Sequence, residues 1–189
     1  MVSQLAIHIP PEANPANITQ LITTLFGTGE RFLSVSELLE FADKLGIGSR
    51  PEISSIAQLM GLLCKTDQSI ELSATGRAFA AIRSEVRGDI LHFLMYSSWD
   101  RACPAENLPS WAYRRICHDY WDSQAVALTT AYLEQQVTEI INQAETEFDE
   151  LGLEDTGGIS FSTKSLRGAR RWLEALQPPV IVEGKFERR

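Results

Sequence analysis

The residues best suited to chemistry form a basic cluster near the end of the chain. Lys164, Arg167 and Arg171 stand at positions i, i+3 and i+7, with Arg170 beside them. On a helix this spacing projects the side chains from neighbouring turns in one direction. Because Lys and Arg neutralise and hydrogen-bond phosphates, the pattern predicts a helix that contacts a nucleic-acid backbone.

A second set of polar residues lies earlier, between Arg50 and Lys65. Read as a helix, this segment exposes polar side chains that can approach DNA. Ser and Gln can read base edges, and Arg can bind phosphates. The predicted DNA-contacting residues here are Arg50, Ser54, Ser55 and Gln58.

Catalytic and metal-binding patterns are missing from the sequence. The segment Gly27–Glu30 lacks the Lys and Ser or Thr of a phosphate-binding loop. Cys103, Cys117 and His118 lack the close paired spacing of zinc ligands, and His92 lies between apolar neighbours. We therefore expect a protein that is not an enzyme and that has no cofactor and no metal.

Composition restricts the class of protein. The chain has 189 residues, 44% of them hydrophobic, and it has only three cysteines. Neither a membrane-spanning run nor a signal-peptide pattern is present in the sequence, and the cysteines are too few for a disulfide framework. A cytoplasmic globular protein without a membrane partner is expected.

Charge is distributed unevenly along the chain. The net charge is −8, which by itself disfavours binding to nucleic acid. Residues 1–156 carry 10 basic and 22 acidic side chains, a net −12, whereas residues 157–189 carry 7 basic and 3 acidic, a net +4. An acidic body with a basic end can still bind a polyanion if the basic residues share one face.

The order of elements in the first half predicts a helix-turn-helix followed by a β-hairpin. Apolar spacing predicts a helix over 17–26, and Ser34 with Glu37 forms a capping box before a second helix. Ser49 with Glu52 repeats that pattern before a third helix, which ends near Cys64. A strand over 69–72 then leads into one helix that runs from 73 through 94.

This order, with the segment Ile70-Glu71-Leu72-Ser73-Ala74-Thr75-Gly76-Arg77-Ala78-Phe79, resembles the winged helix-turn-helix superfamily. The segment is similar to the exit from the wing in many bacterial members, and the resemblance covers residues 17–95. A winged helix followed by a Trp- and Tyr-rich helical region also resembles proteins encoded in bacterial DNA-modification and anti-phage loci. The winged-helix resemblance implies a fold and not a ligand, because winged helices also serve as protein–protein modules. The resemblance to proteins of those loci implies a role linked to DNA, in transcription regulation or antiviral defence.

The second half predicts a helical lobe. An aromatic-rich helical connector over 96–124 precedes a long amphipathic helix over 126–151, and eight acidic residues and no basic one lie between Glu134 and Asp155. A strand over 159–161, a helix capped by Ser162 or Thr163, and a hairpin over 180–186 with Lys185 and Arg188 on its outgoing side then predict a second, basic winged-helix-like unit.

The predicted fold is therefore mainly α with short β-hairpin wings, divided into an arm (1–16), a winged helix (17–95), a connector (96–124) and a helical lobe (125–189). The predicted function is a DNA-binding protein, either a transcriptional regulator or a DNA-positioning subunit of a bacterial assembly. Duplex DNA is the expected partner, and a homodimer would double the phosphate contacts.

Two alternatives stay open. In the first, the chain is a protein–protein interaction module that binds its partner through the acidic surface of 134–155, while the basic cluster pairs internally with Glu145, Glu147, Asp149 and Glu150. In the second, it is a small-molecule sensor with a cavity near Trp99, Trp111 and Trp121. Each alternative predicts a different environment for these side chains.

Overall fold

The computed structural model describes residues 4–48, 50–66, 69–122, 129–153 and 158–187. Helices dominate these ranges, and the prediction of a mainly α fold is confirmed. The helices are α1 (Pro15–Thr28), α2 (Val35–Lys44), α3 (Pro51–Leu59), α4 (Ala74–Ala81), α5 (Arg87–Ser97), α6 (Leu108–Asp122), α7 (Thr130–Glu150) and α8 (Thr163–Glu174). The strands are β1 (Leu5–Ala6), β2 (Leu63–Lys65), β3 (Ile70–Leu72), β4 (Ile159–Ser160), β5 (Ile181–Val182) and β6 (Lys185–Phe186).

The predicted cap of α2 is present. The Ser34 hydroxyl accepts the Glu37 N–H at 3.2 Å, as a capping box requires. The Glu37 carboxylate, however, accepts the N–H of Leu33 at 2.8 Å instead of that of Ser34. Before α2, Phe32 forms an antiparallel bridge with Ile70 of β3, so the hairpin of β2 and β3 is tied to the chain ahead of α2.

The prediction for α3 is corrected at both ends. Arg50 occupies its N-cap without a side-chain cap bond, while Ser49 lies outside the described residues. The helix ends at Leu59, earlier than Cys64, because Gly61 adopts a φ of 68° and the chain turns into β2. A left-handed residue ends a helix in this way because it cannot continue the right-handed turn.

The single helix predicted over 73–94 is wrong. It divides into α4 and α5, because Ile82 is extended at φ −74° and ψ 150°. The Arg87 guanidinium binds the end of α4 from outside, donating to the Ile82 carbonyl at 3.0 Å and to the Ala80 carbonyl at 3.0 Å. These carbonyls would otherwise lack partners at a helix end.

The segment predicted as an N-terminal arm is packed into the protein. Its short strand β1 pairs in parallel with β4, with Leu5 opposite Ile159. Ile7, Ile9 and Ala13 are fully buried. The arm therefore joins the two ends of the chain, and it lies against α8.

The C-terminal elements follow the predicted order. α7 is amphipathic, and its buried stripe consists of Gln136, Ile140, Ala144 and Phe148. Ser162 is the N-cap of α8, although its side chain makes no cap bond. The predicted final hairpin is confirmed, since β5 and β6 pair antiparallel around a left-handed Glu183-Gly184 turn.

Buried apolar side chains from both halves form one contiguous cluster within the described part of the chain. Trp172 of α8 is fully buried in it and packs against Tyr113 of α6, with ring centroids 5.8 Å apart. The apolar side of α8 is thereby held in the core, and the opposite side stays outside it. Within the described ranges, none of the helices is both long and apolar enough to span a bilayer.

Candidate nucleic-acid interface

The basic side of α8 faces solvent, as its sequence spacing predicts. Lys164, Arg167 and Arg171 are exposed, whereas Arg170 is half-buried. The buried residues of the same helix lie on the other side and include Leu166, Ala169, Trp172 and Leu173. The helix is strongly amphipathic, and the lysine and arginines share its outer side.

The partners of these cations differ. Arg170 forms an ion pair with Glu174 one turn later, at 2.6 Å. Arg171 donates to the Pro11 carbonyl at 2.8 Å, which joins it to the arm. In the described part of the chain neither Lys164 nor Arg167 makes a hydrogen bond or an ion pair, and both side chains remain available to a ligand.

The internal pairing that the interaction-module alternative predicts is not observed. Among the described residues, the basic side chains of α8 make no ion pair with Glu145, Glu147, Asp149 or Glu150. Glu147 instead accepts the indole N–H of Trp111 at 2.9 Å. In the part of the chain that the structure describes, α8 and α7 are therefore not joined by ion pairs. Whether the acidic side of α7 binds a protein stays a prediction.

Arg167, Arg170 and Arg171 border one cleft of about 410 Å³. The C-terminal part of α6 contributes Tyr120 to its wall, and the first turns of α7 also line it. Glu174 is the acidic residue at its edge. Three of the predicted residues are therefore brought together around a single concave surface.

Lys164 lies at the other end of α8, on a groove of about 460 Å³. Glu52, Ser55 and Ile56 of α3 line the same groove, as does His8 of the arm. Ser55 and Lys164 therefore border the same groove, and each comes from one of the two predicted DNA-contacting segments.

The remaining predicted residues of α3 are not equally available. Ser54 is only 2% exposed, and its hydroxyl accepts the side-chain N–H of Gln58 at 2.8 Å. The prediction that Ser54 is exposed for base contact is wrong, because it lies on the buried side between Ile53 and Ala57. Gln58 is half-buried and already engaged, whereas Arg50 and Ser55 are exposed.

The final hairpin contributes one described cation. Lys185 is exposed on β6, and its neighbour Phe186 is buried against Tyr120 with ring centroids 5.6 Å apart. Arg188 lies outside the described residues.

His8 ties the arm to α8. Its ring nitrogens lie 3.0 Å from the Ser165 hydroxyl and 2.8 Å from the Ser160 hydroxyl. Burial lowers the pKa of His8 below its usual value, so the neutral ring is favoured. Trp172 adds a second tie, because its indole N–H donates to the Ala13 carbonyl at 3.1 Å.

The sequence did not single out Tyr120 as a site residue. It is fully buried, yet its hydroxyl has no hydrogen-bond partner among the described residues. Burial raises the pKa of Tyr120, the nearby Tyr132 raises it further, and Arg170 acts in the opposite direction. The hydroxyl therefore stays protonated and is a donor. From the sequence alone, Tyr120 is recognisable only as one of the aromatic residues of a predicted helical segment.

The cavity that the sensor alternative predicts near three tryptophans is divided in two. A mostly apolar cavity of about 400 Å³ lies beside Trp121 and is lined by His92, Tyr96 and His118. A separate, more polar one of about 290 Å³ lies beside Trp99 and Trp111. A ligand for either cavity stays a prediction.

Within the described ranges no three His, Cys, Asp or Glu side chains come together as metal ligands would. The absence of a metal, which the sequence spacing predicts, stays an expectation.

No protein-family model, no curated protein and no solved structure matches this chain.

Proposed function

We propose that the chain is a non-catalytic DNA-binding protein whose helix α8 contacts the phosphate backbone of duplex DNA. One observation carries the proposal: Lys164, Arg167 and Arg171 are exposed along one side of α8, and none of them contacts a carboxylate among the described residues. Unpaired cations on one helix neutralise phosphates without first breaking internal ion pairs, so binding is driven by counterion release.

The N-terminal half supports a second contact. We propose that residues 17–95 form a winged helix in which α3 is the recognition helix and the β2–β3 hairpin is the wing. The order of α1, the Phe32 bridge, α2, α3 and the hairpin supports this assignment. The shared groove of Ser55 and Lys164 supports a path along which one duplex touches both helices.

The C-terminal half supports the proposal in a similar way. α8 is followed by a short hairpin, and Lys185 on that hairpin is exposed. We propose that this hairpin is a second wing beside the phosphate-contacting helix. The role in the cell would be that of a transcriptional regulator or a DNA-positioning subunit of a bacterial assembly, including one that acts in defence, with the DNA bound by a single chain or a homodimer.

Fluorescence anisotropy with a labelled, mixed-sequence duplex at low salt tests this proposal. The test variant carries Lys164→Gln, Arg167→Gln and Arg171→Gln. The control carries Lys44→Gln, Arg83→Gln and Arg101→Gln, which remove the same charge from exposed positions outside α8. We expect the test variant to bind at least about tenfold more weakly than wild type, and the control to stay within about threefold.

Equal weakening by both variants would mean that only net charge matters, and it would overturn the role of α8. A wild-type protein that fails to bind at low salt would overturn DNA binding as an activity of this chain.

A further inference from the structure

The cleft beside α8 contains more hydrogen-bond donors than acceptors. Arg167, Arg170 and Arg171 each bring a guanidinium group, which can donate but cannot accept. The Glu174 carboxylate accepts the Nε–H of Arg170, and the Pro11 carbonyl accepts one N–H of Arg171. Most donor positions of these arginines have no acceptor within the described part of the protein.

Tyr120 lines this cleft and carries a buried hydroxyl donor. Its side chain is fully buried, and its ring is held against Phe186. The hydroxyl has no partner among the described residues, although a buried polar group without one costs roughly 1–3 kcal/mol. A ligand that supplies an acceptor would satisfy this hydroxyl.

α7, which lines part of the cleft, also buries a polar side chain. Gln136 lies one turn after Leu133, which lines the cleft, and it is only 2% exposed. Both atoms of its amide group are buried without a hydrogen-bond partner in the described residues. Thr130, in the first turn of α7, also lines the cleft. The positive end of the α7 dipole therefore adds to the positive potential there.

We propose that this cleft binds one phosphate group, with Arg167, Arg170 and Tyr120 donating hydrogen bonds to its oxygens. Phosphate oxygens supply several acceptors around one centre, and guanidinium groups bind them through paired N–H donors. The group belongs either to the DNA backbone or to a free phosphate ester. The inference rests on the proposed function only for the DNA source.

Titration with inorganic phosphate, at an ionic strength held constant with chloride, tests the cleft on the full chain. Binding is followed by calorimetry and by the rise in Tm that accompanies ligand binding to the native state. The variants are Tyr120→Phe, which removes only the hydroxyl, and Arg167→Gln. Arg83→Gln is the matched control, because it removes one arginine charge from an exposed position that neither lies on α8 nor lines the cleft.

We expect saturable phosphate binding by wild type, weakened about tenfold by Tyr120→Phe and at least about tenfold by Arg167→Gln. Arg83→Gln should stay within about twofold of wild type. In chloride alone, the Tm of Tyr120→Phe should equal or exceed that of wild type, since the variant removes an unpartnered buried donor. The absence of saturable binding, or equal weakening by Arg83→Gln and Tyr120→Phe, would overturn the proposal.

A parallel titration with duplex DNA distinguishes the two sources. If Tyr120→Phe also weakens duplex binding and phosphate competes with the duplex, the cleft binds the DNA backbone. If duplex binding is unchanged, the cleft binds a free phosphate ester. Phosphate binding without any duplex binding would contradict the proposed function and leave the cleft supported.

Discussion

Gly168 of α8 lies directly against the main-chain carbonyl of Ile9, and a methyl group on its Cα would overlap that oxygen. This contact lies between the His8 tie to Ser165 and the Trp172 tie to Ala13. The N-terminal arm thus follows α8 closely, and it fixes the helix on which both proposed activities depend.

Gly168→Ala should destabilise the protein by about 1–3 kcal/mol, because a methyl group at this position must displace the arm or the helix. The free energy of unfolding from urea titrations measures the effect. Gly27→Ala in α1 is the matched control, since nothing lies within 4 Å of the added methyl group, and it should be neutral or stabilising. If the two variants are equally stable, the close packing of arm and helix is contradicted.

Glu174→Gln should increase affinity for phosphate and for duplex DNA by about two- to fivefold, because the carboxylate competes for Arg170 at 2.6 Å. The titrations with inorganic phosphate and with duplex DNA measure both affinities. Glu145→Gln removes the same charge from an exposed position on α7 and should have a smaller effect. An unchanged affinity in Glu174→Gln would show that this ion pair does not compete with the ligand.

The cysteines should differ in reactivity. Burial raises the pKa of the Cys117 thiol to about 12, whereas Cys103 is exposed. Because the thiolate is the reactive form, iodoacetamide at about pH 8 should alkylate Cys103 first and Cys117 only after unfolding. Mass spectrometry of the labelled peptides follows both sites, and Cys103→Ser should remove the fast phase. Rapid labelling of Cys117 in the native protein would contradict the raised pKa of its thiol.

The arm should respond to pH through His8. Burial lowers its pKa, so the native state favours the neutral ring more than the unfolded state does. The stabilisation is therefore fully present above the usual pKa of about 6.5 and is lost as pH falls through the lower native value. Urea unfolding between about pH 7.5 and pH 5 should show a smaller loss of stability in His8→Gln than in wild type. Parallel pH profiles for the two proteins would argue against this role of His8.

Local signals in the sequence predicted much of the fold. The Ser34 cap and the alternating apolar and basic positions of α8 depend on neighbours within one or two turns. The break between α4 and α5 was missed because it depends on Arg87 reaching back to carbonyls at the end of α4. A short strand through Leu5 to Ile9 is predictable from the sequence of the arm, but its partner is not, because β4 lies more than 150 positions later, with Leu5 opposite Ile159.

The candidate site was predictable only where its residues are close together in the sequence. The arginines of α8 follow from helical spacing, but the cleft also needs Tyr120 of α6 and the start of α7. Whether a buried hydroxyl finds a partner is decided by packing between distant segments, which composition does not reveal. Ser54 is polar, and its residue type therefore favours an exposed position. It lies instead on the buried side of α3, where its hydroxyl accepts a hydrogen bond from the Gln58 side chain.

The dependence of DNA affinity on salt tests the central claim most directly. Log K for a mixed-sequence duplex should fall linearly with log salt concentration in wild type. Removing Lys164, Arg167 and Arg171 should reduce the magnitude of that slope by about two to three units, since each phosphate contact contributes about 0.9. The control variant at Lys44, Arg83 and Arg101 should retain the wild-type slope. Equal slopes for wild type and the α8 variant would contradict the claim that α8 contacts the DNA backbone.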